Sequence, residues 1–418
     1  MFTIDAINTL AFAGVVLFMG YAIRDRVPLL ARLNIPAPVV GGLIVSAVMT
    51  VGHVRGQVPF VFDTTWQTPL MIAFFTSVGF GASLGLLKRG GPLVFLFLAI
   101  SSAFTVFQNV LGAGLAVALG QPPLLGVLAG SVTLAGGPAT GLAFAPLFEQ
   151  AGVVSAETVA VAAAMAGIVA GGLLGGPVGT WLIERKTTPP GTGGSARTGT
   201  AGSAPLAHHV VERAIDGPAD ATPTPPGDDR EAYALMKATA LILFAMWVGS
   251  GISAWLTQQG IVLPAYIGAM LVAIVLRNID EATGIFRLSQ AIIDDIGSVA
   301  LAFFLVLALM TLKLWQLVGL ALPLTILLLA QGAALLAIAP WLIFRAMGRD
   351  YDAAVMTGGF IGFMLGTTAN AMANMEALVE RYGPAPQAFL VVPMVGAFFI
   401  DVSNNLVITV FLNLLGTP

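Results

Sequence analysis

Continuous runs of apolar residues, each about as long as a membrane-spanning helix, recur along the whole chain. A helix needs about 20 mostly apolar residues to cross the hydrocarbon core of a bilayer. The runs predict ten spans, five on each side of a polar central stretch, and they do not alternate with the period of two expected of a membrane β-barrel. The predicted spans are residues 4–23, 37–54, 68–87, 92–119, 158–183, 234–257, 262–277, 294–314, 317–345 and 386–414.

Two further apolar stretches, residues 123–146 and 353–375, are rich in Gly, Ser, Thr and Asn. Each is followed by an acidic loop that is too polar to lie in lipid. Irregular backbone at membrane depth is tolerated only where protein or a water-filled cavity satisfies its polar groups. We therefore predict that both stretches are re-entrant or broken segments, each forming a hairpin within the membrane.

The polar central stretch, residues 185–232, is rich in Pro and Gly and has few aromatic or branched side chains. Such a composition cannot bury enough apolar surface to order itself, so it predicts a disordered linker. The linker separates residues 1–184 from residues 233–418, and the two halves resemble each other. Pro36-Ala37 and Pro264-Ala265, for example, each precede the second span of a half and stand 228 residues apart. An internal duplication is the simplest interpretation.

Each half has an odd number of predicted spans, so the second half enters the membrane from the opposite side, as in many secondary transporters. Lys and Arg are normally in excess in cytoplasmic loops. With both termini outside, 16 of the 18 Lys and Arg residues lie on the cytoplasmic side and only Arg55 and Lys313 lie outside. The predicted fold is therefore an all-α polytopic membrane protein with two inverted repeats of five helices. Each repeat has one re-entrant hairpin, and the linker is cytoplasmic.

Composition supports this class and excludes several functions. Hydrophobic residues make up 57% of the chain and charged residues only 9%, against about 25% charged in a soluble domain. The lack of Cys excludes disulfides and thiolate metal sites, and a net charge of −3 predicts no nucleic-acid partner. The sequence has no Walker loop and no protease or esterase motif, so we expect a non-enzyme that is driven by an ion gradient or is passive.

The first polar segment contains adjacent glycines followed by a proline, Gly136-Gly137-Pro138, which will not continue a helix in lipid. These residues predict a hairpin tip whose free amides and half-helix end meet a ligand. The candidate residues are Ser131, Thr133, Gly136, Gly137, Thr140 and Gly141. The alternative is close helix packing, because Gly, Ala, Ser and Thr are also common where membrane helices touch.

The second polar segment supplies hydroxyl and amide groups within about two helical turns. Its candidates are Gly366, Thr367, Thr368, Asn370 and Asn374, and the two asparagines share one helix face at positions i and i+4. Neutral oxygen atoms of this kind suit a monovalent cation or a hydrogen-bonded polar solute. The alternative is that the amides hold neighbouring helices together.

Asp401 is the only acidic residue deep in an apolar span. A carboxylate there costs several kcal/mol unless it is paired, binds an ion or faces water, so it is a functional candidate. Asn404 lies on nearly the same face, three residues later. The alternative is a protonated structural Asp. For Gln108, Asn109 and Gln331, which lie mid-span, the sequence leaves helix packing and site lining equally open.

Four motifs resemble those of the bacterial sodium/glutamate symporter family, and the resemblance extends over nearly the whole membrane part. They are Asn34-Ile35-Pro36-Ala37-Pro38-Val39-Val40-Gly41-Gly42, Ser131-Val132-Thr133-Leu134-Ala135-Gly136-Gly137, Asn374-Met375-Glu376-Ala377 with Glu380-Arg381-Tyr382-Gly383-Pro384, and Val391-Val392-Pro393-Met394-Val395-Gly396-Ala397-Phe398-Phe399-Ile400-Asp401.

The resemblance implies a homodimer in the bacterial inner membrane that takes up glutamate with sodium, by elevator-like movement of a transport domain. The substrate is then a small anionic amino acid or carboxylate, sodium is the co-transported ion, and no organic cofactor is needed. The expected substrate-binding residues are Ser131, Thr133, Gly136, Gly137, Thr140, Gly141, Gly366, Thr367, Thr368, Asn370 and Asp401. The expected sodium ligands are Asp401, Asn374 and Asn404. Whether Asp401 serves sodium, a proton or the substrate ammonium stays open.

The two hairpins also depart from the family pattern. Pro138-Ala139 stand where the pattern has His-Gly, Phe360 stands where it has His, and Ala369-Asn370 follow Thr368 where it has Thr-Pro-Thr. The residues that match are Thr140, Gly141, Thr368, Asn374, Asp401 and Asn404. Another small carboxylate or polar metabolite is therefore the alternative solute. The alternative from another class is a membrane-embedded enzyme or sensor.

Overall fold

The computed structural model describes residues 2–56, 60–187, 230–260 and 263–416, which are almost entirely helical. The predicted linker lies outside these residues except at its edges. The helix before it ends at Lys186 and the helix after it begins at Arg230. The predicted bounds of 185–232 were therefore two or three residues too wide on each side, because the apolar signal fades before the helices end.

The first half begins with a short strand, β1 (Phe2–Ile4), which pairs in parallel with β2 (Phe60–Phe62). The described residues of the first half form the helices α1 (Ala6–Arg26), α2 (Pro28–Arg32), α3 (Ala37–Val54), α4 (Gln67–Gly81), α5 (Leu84–Arg89), α6 (Gly91–Ala118), α7 (Pro123–Val127), α8 (Gly137–Gln150) and α9 (Ala156–Lys186). A π-helical turn, Leu128–Val132, extends α7. The strand pair is an addition to the predicted all-α class.

The second half repeats the order of the long helices. It contains α10 (Arg230–Gln258), α11 (Ala265–Thr283), α12 (Gln290–Met310), α13 (Ala321–Ala346), α14 (Tyr351–Leu365), α15 (Thr368–Tyr382), α16 (Pro386–Met394) and α17 (Ile400–Leu415). A 3₁₀ helix, Leu314–Leu320, precedes α13, and a π-helical turn, Val395–Phe399, joins α16 to α17.

Seven helices of the described residues are long and apolar enough to cross a membrane. The pair Pro386–Ala397 and Ile400–Leu415, bent by 43°, makes an eighth if it is one span. The predicted span over residues 386–414 is thus formed by two helices with a bend between them. The other two predicted spans are α4, which has only 15 residues, and α11, which carries Arg277, Asp280 and Glu281 near its end. The count of ten spans stays a prediction.

The helices of the two halves pack in matching pairs. In the first half α1 packs on α3, where a Cβ atom on Gly20 would lie 2.1 Å from the Ala37 oxygen. In the second half α10 packs on α11, where a Cβ atom on Gly249 would lie 2.3 Å from the Ala269 Cα. Between the halves, α3 packs on α12 and α4 packs on α11. Each of these two pairs joins the second predicted span of one half to the third predicted span of the other half, so the two pairs are equivalent.

Helix α9 packs unusually closely on α14. A Cβ atom on Gly167, Gly171 or Gly175 of α9 would lie 2.2, 2.8 and 2.5 Å from the backbone oxygens of Leu365, Gly362 and Gly358. These distances are too short for any side chain, so glycine at every fourth position lets the two backbones touch, as is usual where membrane helices meet. The contact fixes α14 beside α9 over three helical turns.

Candidate functional site

The first polar segment folds as two helical arms joined by a sharp turn, which we call hairpin 1 (residues 123–150). Its first arm is α7 with the π-helical turn, inside which Gly130 leaves helical geometry (φ −101°, ψ −130°). Its second arm, α8, begins at Gly137, whose positive φ of +68° favours glycine. No side chain caps the start of α8, so its first amides are free to meet a ligand.

The second polar segment also folds as two helical arms, which we call hairpin 2 (residues 351–382). Its first arm, α14, ends at Leu365, and the second, α15, begins at Thr368 and runs to Tyr382. The predicted bounds of 353–375 were too narrow, since residues predicted to form an acidic loop continue the helix. The N-terminus of α15 is also uncapped by any side chain.

The tips of the two hairpins lie close together. A Cβ atom on Gly137 would lie 3.7 Å from the Thr367 Cγ2 atom and 4.0 Å from the Gly366 oxygen. The N-terminal ends of α8 and α15 therefore lie next to each other. A helix N-terminus carries a partial positive charge and free N–H groups, so a pair of them favours an anionic ligand.

The segment from Gly396 to Asn404 is held by both hairpins. The Thr368 hydroxyl of hairpin 2 donates to the Gly396 oxygen at 2.8 Å, and the Asn404 amide donates to the Ser131 oxygen of hairpin 1 at 3.0 Å. Asp401 lies between these two attachment points. It is half-buried, and it makes no hydrogen bond or ion pair in the part of the chain that the structure describes.

Helix α6 anchors both hairpins through two adjacent amide side chains. Gln108 donates to the Met364 oxygen of hairpin 2 at 3.0 Å, and Asn109 accepts the Ser131 N–H of hairpin 1 at 3.0 Å. Gln331 of α13 donates to the Gln108 backbone oxygen at 2.7 Å. The sequence left these three residues undecided between packing and site lining, and the structure shows that they position the hairpins.

Several buried oxygen atoms of these residues and of Asn405 have no hydrogen-bond partner among the residues that the structure describes. They are the Gln108 Oε1, Gln331 Oε1, Ser131 Oγ, Asn404 Oδ1 and Asn405 Oδ1 atoms. A buried polar atom without a partner costs about 1–3 kcal/mol, so native proteins rarely keep several together without a use. Oxygen donors are also the ligands that hard cations take. The arrangement therefore suits a cation beside hairpin 1.

Other predicted site residues make contacts within the fold. Thr133 donates to the Leu128 oxygen of its own arm at 2.7 Å, and a Cβ atom on Gly141 would lie 3.0 Å from the Ala160 side chain. The Asn370 and Asn374 amides donate to the Ile168 and Gly171 oxygens of α9, each at 2.9 Å. These amide nitrogens hold hairpin 2 on α9.

The remaining predicted residues lie at the tips. Thr367 donates to the Asn370 Oδ1 atom at 2.8 Å, and a Cβ atom on Gly366 would lie 2.9 Å from that same oxygen. In hairpin 1 a Cβ atom on Gly136 would lie 2.6 Å from the Thr140 Cβ atom, so only glycine fits there. The tips are thus compact turns built from their own side chains.

Phe360, which departs from the family pattern, is fully buried in an aromatic cluster. Its ring makes edge contacts with Phe97, Phe104 and Phe363 at centroid distances of 5.7, 5.5 and 5.7 Å. A phenyl ring in this place packs hairpin 2 against α6 and offers no hydrogen bond. The site in this chain therefore has no polar side chain at position 360.

The sequence interpretation missed Asn405. Its side chain is buried. Among the described residues, its amide has only the Met270 sulfur at 3.9 Å as a partner and its Oδ1 atom has none. Asp401 and Asn405 are four residues apart, which places them on one helix face. The four-residue spacing from Asp401 could have identified Asn405 in the sequence, but only Asn404, at a spacing of three, was predicted.

The chain is similar in sequence to proteins of known family. A family model described as sodium/glutamate symporter matches residues 2–384. The sodium/glutamate symporter of Escherichia coli strain K12 is 39% identical over 415 residues, which are 99% of each chain. The sodium/glutamate symporter of Haemophilus influenzae is 38% identical over 406 residues, which are 96% of each chain. These matches confirm the resemblance that the motifs suggested.

Proposed function

This chain belongs to the sodium/glutamate symporter family, and on that premise we propose that it carries L-glutamate across the bacterial inner membrane together with sodium. It is a multi-pass membrane transporter and not an enzyme. The observation that carries the proposal is the proximity of the two hairpin tips at Gly137 and Thr367, with the unpaired Asp401 in a segment held by both hairpins.

The two helix N-termini suit the two carboxylates of glutamate. In this proposal the free amides at the starts of α8 and α15, with the Ser131, Thr140 and Thr368 hydroxyls, bind the carboxylates. Pro138 lacks an N–H, so α8 offers one donor fewer than α15. The substrate ammonium would then pair with Asp401 or lie beside the unpaired amide oxygens.

Sodium is the transported co-substrate in this proposal. Asn404 and Asn405, at i+3 and i+4, lie on either side of the α17 face that carries Asp401, and Ser131 is attached to Asn404 by a hydrogen bond. The unpaired Asn404 and Ser131 oxygens and the Asp401 carboxylate offer a set of oxygen ligands. Asn374 stays in the proposed set through its Oδ1 atom, because its Nδ2 atom is used by the Gly171 oxygen.

We propose the inverted-repeat arrangement and an elevator-like movement for alternating access. The exchange of helix pairs between the halves, α3 on α12 and α4 on α11, supports the repeats. The excess of Lys and Arg on one side supports an outside location of both termini and a cytoplasmic linker. In this proposal the hairpins move together with α6, α9 and α13. The remaining helices stay in place as part of a homodimer.

Uptake of radiolabelled L-glutamate into proteoliposomes tests the proposed function. An inward sodium gradient should drive accumulation, and replacing sodium with choline should abolish it. Sodium-independent equilibration, or uptake driven by a proton gradient alone, would contradict the proposal. The same assay with a dicarboxylate tests the alternative solute. Phe360 and the Pro138-Ala139 pair favour that alternative, because they lack polar groups that the family pattern has at these positions.

A further inference from the structure

The last turns of α9 and α13 share a sequence pattern although they are not equivalent helices in the two halves. Trp181-Leu182-Ile183-Glu184-Arg185 and Trp341-Leu342-Ile343-Phe344-Arg345 both read Trp-Leu-Ile-x-Arg. Trp and Arg near a helix end are typical of the membrane–water interface. Trp181 of the first motif and Trp341 and Arg345 of the second line one cavity of about 780 Å³, a size typical of ligand sites.

The cavity has a basic end and an apolar end. Lys186, Arg345 and Arg349 line it where the two helices finish, whereas Val178 and Leu336 line it about two turns earlier. Eight or nine residues of helix correspond to about 12–14 Å along the membrane normal. One molecule in the cavity would therefore meet positive charge at the membrane surface and hydrocarbon-like walls below it.

The basic side chains are free to receive an anion. Within the described ranges, Lys186, Arg345 and Arg349 make no ion pair, and the cavity lining contains no acidic residue. Asp350 directly follows Arg349, but its carboxylate accepts the Ala353 N–H at the start of α14. The Arg345 guanidinium lies 4.8 Å from the centre of the Trp341 ring, which holds it at the rim.

We propose that this cavity binds one anionic phospholipid. The headgroup phosphate would lie between Lys186, Arg345 and Arg349, the Trp181 and Trp341 rings would flank the glycerol region, and an acyl chain would cover the apolar wall. Basic pockets between membrane helices on the cytoplasmic side bind anionic headgroups in this way. The topology proposed above places these helix ends on that side. The site is separate from the hairpin tips and does not depend on the transported solute.

Native mass spectrometry of the delipidated full chain tests the proposal. Phosphatidylglycerol should bind in preference to phosphatidylcholine with the same acyl chains. The triple variant Lys186→Gln, Arg345→Gln, Arg349→Gln should weaken phosphatidylglycerol binding by about tenfold or more. The matched control Arg26→Gln, Arg32→Gln, Lys88→Gln removes three exposed charges from the same proposed side and should bind like the wild type.

Four results would overturn the proposal. The first is equal phosphatidylglycerol binding by the two triple variants, and the second is equal binding of both lipids by the wild type. The third is binding of soluble glycerol 3-phosphate as tightly as the lipid, which would indicate a site for a free anion. The fourth is a change of the pocket variant from dimer to monomer in the absence of lipid. That result would show that the cavity lies in the interface with a second copy of the chain. If the triple variant does not fold, the single variant Arg349→Gln replaces it. Its binding of phosphatidylglycerol and phosphatidylcholine is then compared with that of the wild type, and unchanged binding would overturn the proposal.

Discussion

A Cβ atom on Gly137 would come within van der Waals range of Thr367, although the two residues are 230 positions apart in the chain and belong to different halves. This proximity brings two uncapped helix N-termini together at one point. Neither half could build this site alone, because each supplies one helix end. A ligand with two negative groups therefore gains from the simultaneous presence of both tips.

Gly137→Ala should impair transport more than it impairs folding. An L-residue at φ +68° is strained by about 1–2 kcal/mol, and relief of that strain would move the tip away from Thr367. Gly120→Ala is the matched control, since Gly120 has φ +70° with open space around it and lies outside the hairpins. Both variants should show a similar loss of thermal stability, and only Gly137→Ala should raise the KM for uptake. Equal kinetics for the two variants would contradict this role of the tip.

The long helices could be predicted from the apolar runs because lipid requires them. The second span was predicted over residues 37–54, and the helix is Ala37–Val54. Short-range features that depend on distant partners could not be predicted. The β1–β2 pair needs residues 2–4 to meet residues 60–62, and the π-helical break after Met394 lies in an unbroken apolar run.

The candidate site was only partly predictable for the same reason. Gly, Pro and Asp in apolar surroundings pointed to the hairpins and to Asp401. Which side chain meets which carbonyl depends on helix packing that one-dimensional periodicity does not contain. The Asn370 and Asn374 amides reach α9 only because the α9 glycines admit hairpin 2 so closely.

Asn109→Leu should loosen hairpin 1. The Leu side chain keeps the volume but leaves the buried Ser131 N–H without an acceptor, which costs about 1–3 kcal/mol. Thr105→Val is the control, because Thr105 is also buried in α6 and bonds only to the Ser102 oxygen of its own helix. Thermal unfolding and sodium-driven uptake should both decline for Asn109→Leu and stay near wild type for Thr105→Val. A larger loss of stability and uptake in Thr105→Val than in Asn109→Leu would show that Asn109 does not support the hairpin.

Single cysteines at Ala139 and Ala369 should be labelled from opposite sides of the membrane. Inverted repeats bring the two hairpins in from opposite faces, and both positions retain accessible surface. The chain has no Cys, so the background is clean. Membrane-impermeant maleimide added to right-side-out and inside-out vesicles measures the preference, and substrate should protect both sites. Labelling of both positions from one side only would rule out the inverted arrangement.

Deleting residues 195–220 should leave folding and uptake intact. These residues lie outside the described part of the chain, and the prediction rests on their composition, which offers no apolar core. A tether need only span the distance between the halves. Expression, size-exclusion profile and uptake rate should match the full chain. Loss of uptake at unchanged expression would indicate that the linker has a function of its own.

Asp401→Asn should abolish sodium-driven accumulation while the protein stays folded. The carboxylate lies in a segment held by both hairpins and has no partner within the described residues, and we propose that its charge serves a ligand. The amide keeps the shape and removes the charge, which should preserve the packing. Asp25→Asn removes an exposed carboxylate at the end of α1 and is the control for the charge change itself.

Counterflow measured beside net uptake separates the two proposed roles of Asp401. If the carboxylate binds sodium, Asp401→Asn should still exchange preloaded glutamate for external glutamate. Such exchange needs no net movement of sodium across the membrane. If the carboxylate pairs with the substrate ammonium, glutamate binding itself fails and exchange is lost as well. The sodium dependence of the remaining exchange then reports the other proposed ligands, Asn404 and Ser131 first, because each has a buried oxygen with no partner within the described residues. Wild-type accumulation by Asp401→Asn would show that the carboxylate is only structural.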